Sequence, residues 1–262
     1  MAYLFCIDRL GDGFLSRSAN RASPYPRGME HALPTIPLVN LLWAFAPVLL
    51  LVAVLWRWQL GAGTALYATA RMLGQLLAVG YVLVWVFETE RPAVVLAVLA
   101  VMIGASSWIA LRPLRHAGPG VFGPVLLAIA VAGGGVLAIV TQLVLTLPRW
   151  FEPHVVVPLA GMIFANAMNS VSLAAERLEA ERGRGVAVAA ARGEALEAAL
   201  IPQINGLLAV GLVSLPGMMT GQILSGVDPL VAVRYQIMVM LMVVGSGGLG
   251  AALYLTLLAR RA

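Results

Sequence analysis

The chain of 262 residues is 61% hydrophobic and only 11% charged, with a mean hydropathy of +0.91. Soluble domains carry about 25% charged residues, so this composition excludes a soluble fold and predicts an all-α, polytopic membrane bundle. All 17 basic residues are arginine, which excludes a Walker A loop because that loop uses a lysine to reach the phosphates. The single cysteine, Cys6, excludes an intrachain disulfide and a cysteine-based metal cage.

Residues 1–37 differ from the rest of the chain in composition. They combine four arginines with aspartate, serine, proline and glycine, and they contain no apolar run long enough for the core of a signal peptide. This composition predicts a disordered N-terminal extension. An alternative is that the native protein starts at Met29, which would remove the extension and its arginines.

Seven apolar spans follow and form one predicted membrane domain, residues 38–261. A helix needs about 20 apolar residues to cross the hydrocarbon core. The predicted spans are residues 38–56, 66–87, 92–111, 121–147, 155–174, 201–228 and 229–259. Between the fifth and sixth spans lies an alanine-rich, charged stretch, about 175–200, which we expect to be a helical loop.

The arginines predict the orientation of these spans. One side would hold Arg57, Arg71, Arg112, Arg115, Arg177, Arg182, Arg184, Arg192, Arg260 and Arg261, and the other only Arg91, Arg149 and Arg234. Under the positive-inside rule, the C-terminus and the 175–200 loop are then cytoplasmic and the N-terminus is outside. We therefore expect a multi-pass protein of a bacterial cytoplasmic (inner) membrane. The spread of the arginines between spans argues against nucleic-acid binding.

The stretch from Gly211 to Asp228 is unusual for a lipid-facing span. Proline removes a backbone donor, and the glycine that follows loosens the helix further. We therefore predict a hinge at Pro216 and Gly217, with Gln222 and Asp228 beside a transport pathway. Asp228 before a proline is also typical of a turn. A second flexible point is predicted in the seventh span at Gly245–Gly250.

Other polar residues inside spans are further pathway candidates. Arg71 and Gln75 are four residues apart and share one helix face, although Arg71 could instead extend to the membrane surface. Asn166 and Asn169 could contact a solute or form hydrogen bonds between helices.

Four methionines could offer thioether ligands to a soft metal such as Cu(I): Met162, Met168, Met218 and Met219. Methionine is equally ordinary as a gap-filling core residue. His154 with Glu152 is a candidate low-affinity cation site, whereas His31 and His116 are expected to be loop residues. No pairing of a nucleophile with a base is evident, so we expect no enzyme activity and no bound cofactor.

Several stretches together resemble one known family, the FetB-type permeases: Ala70–Tyr81, Pro158–Met168, Ala198–Pro202, Val210–Gly221, and Asp228-Pro229 followed by Tyr235–Met238. These are iron-export components of ABC transporters and are similar to plant aluminium-sensitivity permeases. The resemblance covers about residues 38–261, and the Leu-Pro-Gly-Met-Met-Thr-Gly block is its most specific part. Two features depart from the family pattern: Ala165 stands where the family usually has glycine, and Gly183 to Gly193 replaces an expected longer cytoplasmic segment.

The resemblance implies the permease subunit of an exporter of iron or another metal ion. It implies a separate ATP-binding subunit that holds the ATP, and two copies of each subunit. The 175–200 loop would then receive the force of the ATPase, with Arg177, Arg182, Arg184 and Arg192 as candidate contacts; otherwise it is a solvated linker. Two alternatives stay open: an ABC permease for a small organic solute, and a secondary transporter that needs no ATPase.

Overall fold

The computed structural model describes residues 37–88, 91–114 and 119–259, and the elements it assigns there are helical. They are α1 Leu38–Leu42, α2 Ala46–Arg57, α3 Ala62–Glu88, α4 Pro92–Ala110, α5 Phe122–Ile139, α6 Pro153–Gly183, α7 Val188–Ala209, α8 Gly217–Leu224 and α9 Pro229–Ala259. A π-helical turn, Val140–Val144, prolongs α5. The predicted extension, His31, His116, Arg115, Arg260 and Arg261 lie outside the described residues. The chain divides into two compact units, Met1–Trp43 and Ala44–Ala262. Of the first unit, the structure describes only residues 37–43.

The helical membrane bundle predicted from composition is confirmed. Six helical stretches within the described residues are long and apolar enough to cross a membrane: Val39–Arg57, Ala62–Glu88, Pro92–Ala110, Phe122–Val144, Pro153–Gly183 and Pro229–Leu258. A seventh continuous span is not confirmed. The predicted span 201–228 is divided between the end of α7 and the short helix α8, with non-helical backbone between them.

The termini of the helices in the larger unit lie at two opposite ends of that unit. At the hairpin end, named for the turn between α6 and α7, the residues Leu114, Val121, Gly183 and Leu258 line one cavity. At the opposite end, Leu145, His154 and Tyr235 line another. Helices α6 and α9 therefore both begin at the opposite end and run toward the hairpin end.

The core forms where α9 packs against α6, α5 and α7. Small residues permit the close approach: a Cβ at Gly250 would lie 3.6 Å from both Ala167 and Val171 of α6. Gly133 of α5 lies directly against the buried ring of Phe164. Close packing of small residues stabilises helix association in membranes, where lipid removes the usual hydrophobic drive.

Helices α2 and α3 lie outside this core. They pack against each other, and α3 contains a single buried residue, Val86, among those described. The ring of Phe87, at the end of α3, lies 4.3 Å from the imidazole of His154. The exposed faces of these two helices are apolar, as is normal for surfaces that face lipid.

Candidate functional site

The backbone between α7 and α8 leaves the helical path at Val210. The carbonyl of Ala209 accepts hydrogen bonds from the backbone N–H groups of Val213 at 2.8 Å and Ser214 at 3.1 Å, which closes a tight reversal. Gly211 adopts φ +82°, a left-handed conformation that suits glycine because it has no Cβ. Pro216 then immediately precedes the first residue of α8, with φ −62° and ψ 144°. We call residues 210–216 the break.

The expected bend at Pro216 and Gly217 within a continuous helix is therefore replaced by an interruption that ends there. A proline before the first helical turn is well tolerated, because its missing N–H would have no helical partner. The helix ends instead at Val210, whose ψ of 131° is extended, and Gly211 follows in the left-handed conformation. Whether Pro216 and Gly217 act as a hinge stays a prediction.

The break lies part-way along the bundle, nearer the opposite end than the hairpin end. Gln203 of α7 lies level with Ser170 of α6, to which it is hydrogen bonded. Ser170 is about 25 Å along α6 from its start at Pro153, and Ala209 lies about 9 Å beyond Gln203 in the direction of that start. The break thus begins about 16 Å from the opposite end, which is about a third of the ~46 Å length of α6.

A first cavity, the break cavity, adjoins the break and has a volume of about 310 Å³. Its walls come from the break, from α8 through Met219, and from α9 through Gln236 and Met240. Gln236 is buried, and its Oε1 atom has no hydrogen-bond partner among the described residues. This amide oxygen is therefore an unpaired polar atom buried beside the cavity.

A second cavity, the methionine cavity, has a volume of about 430 Å³ and lies between α6, α8 and α9. Three methionines line it, one from each helix: Met162, Met218 and Met238. His154 and Tyr235 line it closer to the opposite end. Its remaining lining residues are the apolar Leu145, Val155, Pro158 and Leu159.

Helix α8 separates the two cavities. Met218 lines the methionine cavity, and its neighbour Met219 lines the break cavity. On α9, Tyr235 lines the methionine cavity and its neighbour Gln236 lines the break cavity. Consecutive helical residues point about 100° apart, so each helix presents one residue of the pair to each cavity.

A buried polar contact joins three helices closer to the hairpin end. Gln203 Nε2 donates to Ser170 Oγ at 3.2 Å, and a Cβ at Gly247 of α9 would lie 2.7 Å from that same oxygen. Ser246 Oγ donates to the carbonyl of Val243 at 3.1 Å. The glycines of the 245–250 segment thus serve close packing in an unbroken α9, while the predicted flexibility there stays untested.

The charged stretch between α6 and α7 forms a helical hairpin. Helix α6 continues to Gly183, Gly185 turns the chain with φ +81°, and α7 begins at Val188. Glu181 accepts from Arg177 at 2.9 Å and from Arg184 at 3.0 Å, which ties the turn together. Arg192 is exposed, and Arg182 is exposed beside a cavity of about 450 Å³ that Glu179 and Tyr254 also line.

The structure brings only some of the predicted site residues together. Arg71 and Gln75 are exposed on α3, and Asn169 is exposed on α6. Asn166 donates from Nδ2 to the carbonyl of Met162 on its own helix, at 2.8 Å. Met168 packs against the core, and Gln222 Oε1 is buried without a hydrogen-bond partner among the described residues. None of these residues lines either cavity beside α8.

Asp228, predicted to lie beside a pathway, and Glu152, predicted to form a cation site with His154, both lie at helix starts. Asp228 Oδ1 accepts from the backbone N–H of Leu230 at 2.8 Å at the start of α9. The carbonyl of Glu152 accepts from Val156 N at 2.8 Å at the start of α6. Among the described residues, histidine, cysteine, aspartate and glutamate form no group of three suited to a metal.

Sequence reasoning missed Tyr235, Gln236 and Met238 as site residues. The Tyr-Gln-Ile-Met block was quoted only for its family resemblance. Its spacing carries a usable signal, since residues 235 and 238 share one helix face and residue 236 faces another.

Comparison with known proteins matches the chain to one family model, the uncharacterised protein family UPF0014, over residues 38–185 and 182–262. The chain is 36% identical over 231 residues to the UPF0014 membrane protein slr1647 of Synechocystis, and the aligned region covers 82% of this chain and 89% of that protein. It is 34% identical over 208 residues to the probable iron export permease protein FetB of Escherichia coli, covering 73% and 79%. It is 32% identical over 228 residues to the UPF0014 membrane protein STAR2 of rice, covering 80% and 78%. No solved structure matches. The chain therefore belongs to the UPF0014 family of membrane proteins.

Proposed function

We propose that this chain is the membrane-spanning permease subunit of an ABC-type exporter in a bacterial cytoplasmic membrane, driven by a separate subunit that binds ATP. The proposed cargo is iron or another metal ion. The FetB relative, whose name describes a probable iron export permease, supports the transport class. In this proposal the chain performs no catalysis of its own and needs no bound cofactor.

One observation carries the proposal: α7 is a single helix that connects the charged hairpin to the break. It is one continuous helix from Val188 to Ala209, with Pro202 in its interior. The adjoining helix α6 has 31 residues, about 46 Å, which exceeds a hydrocarbon core of about 30 Å. The hairpin therefore extends beyond the membrane on one side, where a soluble subunit can reach it.

The proposed mechanism follows from this connection. Closure of the ATP-binding subunits pushes the hairpin, and α7 transmits the displacement to the break because a helix is stiff along its axis. The break absorbs the displacement at Gly211, and α8 shifts relative to α9. Access to the cavities beside α8 then alternates between the two sides of the membrane.

A second copy of the chain is part of the proposal. Leu212 and Val213 at the tip of the break are 90% and 84% exposed. Non-helical backbone at membrane depth is normally covered by protein or lines a water-filled cavity. A second permease subunit packed against the break would supply that cover.

The dimer is tested by cross-linking in a Cys6→Ser background. Val213→Cys, treated with a short bifunctional thiol reagent in native membranes, should give a cross-linked pair of chains. Tyr81→Cys, which is equally exposed at 84% but lies on α3, is the matched control. Equal cross-linking of the two variants would place the dimer contact elsewhere.

The ATPase partnership is tested by charge reversal on the hairpin. Arg182→Glu with Arg192→Glu should reduce the amount of ATP-binding subunit that co-purifies with the tagged chain, and should abolish ATP-dependent metal flux in proteoliposomes. Arg177 and Arg184 are left unchanged because their contacts with Glu181 hold the turn. Arg57→Glu, an exposed arginine at the end of α2, should behave as the wild type. Flux down a gradient by the purified chain alone would contradict the proposal and favour a secondary transporter.

An organic cargo is the second candidate. The break cavity favours it, because a mostly apolar space of about 310 Å³ with one amide is typical of small-molecule sites. Metal content of a deletion strain under iron load separates the two cargoes. Unchanged iron content, together with unchanged copper content under copper load, would favour the organic solute.

A further inference from the structure

We infer that the methionine cavity binds a soft, monovalent metal cation through the thioethers of Met162, Met218 and Met238. This inference rests on the proposed function for its place in transport, because the cavity then holds the cargo. Binding itself is a property of the chain and can be measured without the ATP-binding subunit.

The placement of the three thioethers is the first argument. Met162 lies nine residues after Pro153 at the start of α6, and Met238 lies nine residues after Pro229 at the start of α9. Each therefore lies about 14 Å along its own helix from the start of that helix, and both residues line one cavity. Met218, in the first turn of α8, reaches the same cavity from the third side. Met238 is buried, with 9% of its surface exposed, and the other two are half-buried.

The absence of negative charge among the lining residues is the second argument. None of the nine lining residues is an aspartate, a glutamate or a cysteine. The cost of moving an ion out of water rises with the square of its charge, so a neutral cavity inside a membrane disfavours a divalent ion about four times as strongly as a monovalent one. Thioethers bind Cu(I) in preference to harder cations such as Mg²⁺, Ca²⁺ or Mn²⁺. Charge and ligand type thus select the same class of ion.

His154 has a different position from the three thioethers. It lies about 12 Å from Met162 along the axis of α6, too far for both to hold one ion in the unbent helix. Its ring packs against Phe87 at 4.3 Å, which orients the imidazole at the mouth of the cavity. Neutral imidazole also binds copper, so His154 is a transfer ligand between the cavity and the outside.

The test is anaerobic titration of the purified chain with Cu(I), in competition with a chromogenic chelator. A Cys6→Ser background removes the only thiol. We expect one Cu(I) per chain at the methionine cavity. Met162→Leu, Met218→Leu and Met238→Leu should each weaken that binding by about tenfold or more, since losing even a neighbour of a metal ligand costs ~10-fold. Leucine nearly conserves the volume of methionine, so the packing is retained.

The matched controls are Met219→Leu and Met240→Leu, which make the same change in the break cavity. Both should bind Cu(I) as the background chain does, and X-ray absorption of the bound copper should show sulfur neighbours. The inference is overturned if all five leucine variants bind alike, if the copper has only oxygen or nitrogen neighbours, or if Fe(II) binds as tightly and is lost with the same methionines.

Failure of the site and failure of the proposed function give different results. If ATP-driven flux of Cu(I) or Ag(I) is normal in the Met162, Met218 and Met238 variants, the site is wrong and the exporter stands. If the chain binds Cu(I) through these methionines but neither co-purifies with an ATP-binding subunit nor supports ATP-driven flux, the site stands and the exporter is wrong.

Discussion

Gly247→Ala is expected to destabilise the protein because the new methyl group would overlap the buried contact between α6 and α7. A Cβ at this position would lie 2.7 Å from Ser170 Oγ and 3.2 Å from Gln203 Nε2, whereas an ordinary contact begins near 3.4 Å. Ser170 is 1% exposed, so its hydroxyl has little space to move aside.

The expected magnitude combines three effects. Overpacking of a close-packed core costs about 1–3 kcal/mol. Losing the hydrogen bond between Ser170 and Gln203 costs about 0.5–1.5 kcal/mol, and replacing a helical glycine by alanine returns about 1 kcal/mol. The free energy of unfolding should therefore fall by about 0.5–3.5 kcal/mol, measured by titration with SDS in mixed micelles.

Two further variants make the prediction specific. Gly245→Ala is the control, because its Cβ would meet only Val136 Cγ2, at 3.9 Å. The double change Ser170→Ala with Gly247→Ala should recover about 1 kcal/mol or more as a coupling energy, since it removes the overlapping hydroxyl. If Gly247→Ala were as stable as Gly245→Ala, or if Ser170→Ala gave no recovery, the three-helix contact would not exist as described.

Three other predictions separate packing from transport. Gly133→Ala should lower the free energy of unfolding by about 1–3 kcal/mol because its Cβ would lie 2.8 Å from a buried aromatic ring, while Gly134→Ala, with nothing within 4 Å, should be neutral or stabilising by up to about 1 kcal/mol. Gly211→Ala and Gly226→Ala both force alanine into a left-handed conformation, φ +82° and +87°, at a cost of about 1–2 kcal/mol. Only Gly211→Ala should change reconstituted transport, by about 5–30-fold, if the break moves. Gln236→Leu should leave the thermal stability equal or higher, because the Oε1 atom of Gln236 has no hydrogen bond to lose. The same variant should lower transport if the cargo contacts the break cavity. Wild-type transport in this variant would exclude such contact.

The membrane class and the positions of most helices could be predicted from composition and apolar length alone. These properties depend on single residues and their near neighbours, which the sequence contains in full. The helical character of the charged hairpin was predictable for the same reason, because its alanines favour helix wherever they lie. The turn itself is shorter than expected, since α6 continues to Gly183 and α7 begins at Val188.

The site of the helix interruption was less predictable. Proline is the strongest local helix breaker, so the sequence directed attention to Pro216. The helix actually ends at Val210, whose backbone is extended, and Gly211 follows in the left-handed conformation while the carbonyl of Ala209 accepts N–H groups of the reversal. Likewise, the glycines at 245–250 could signal flexibility or close packing, and only the neighbouring Ser170 and Gln203 distinguish the two.

The methionine pair at 218 and 219 shows most clearly what spacing alone can decide. Both residues were candidates for one metal site, but adjacent residues on a helix point about 100° apart and cannot converge on one ion. Met218 therefore needs partners on other helices, and Met162 and Met238, which line the same cavity, supply them. Their convergence depends on how α6, α8 and α9 pack together. The ligand set is thus a property of helix register between distant segments, which is why Met238 escaped a reading confined to local motifs.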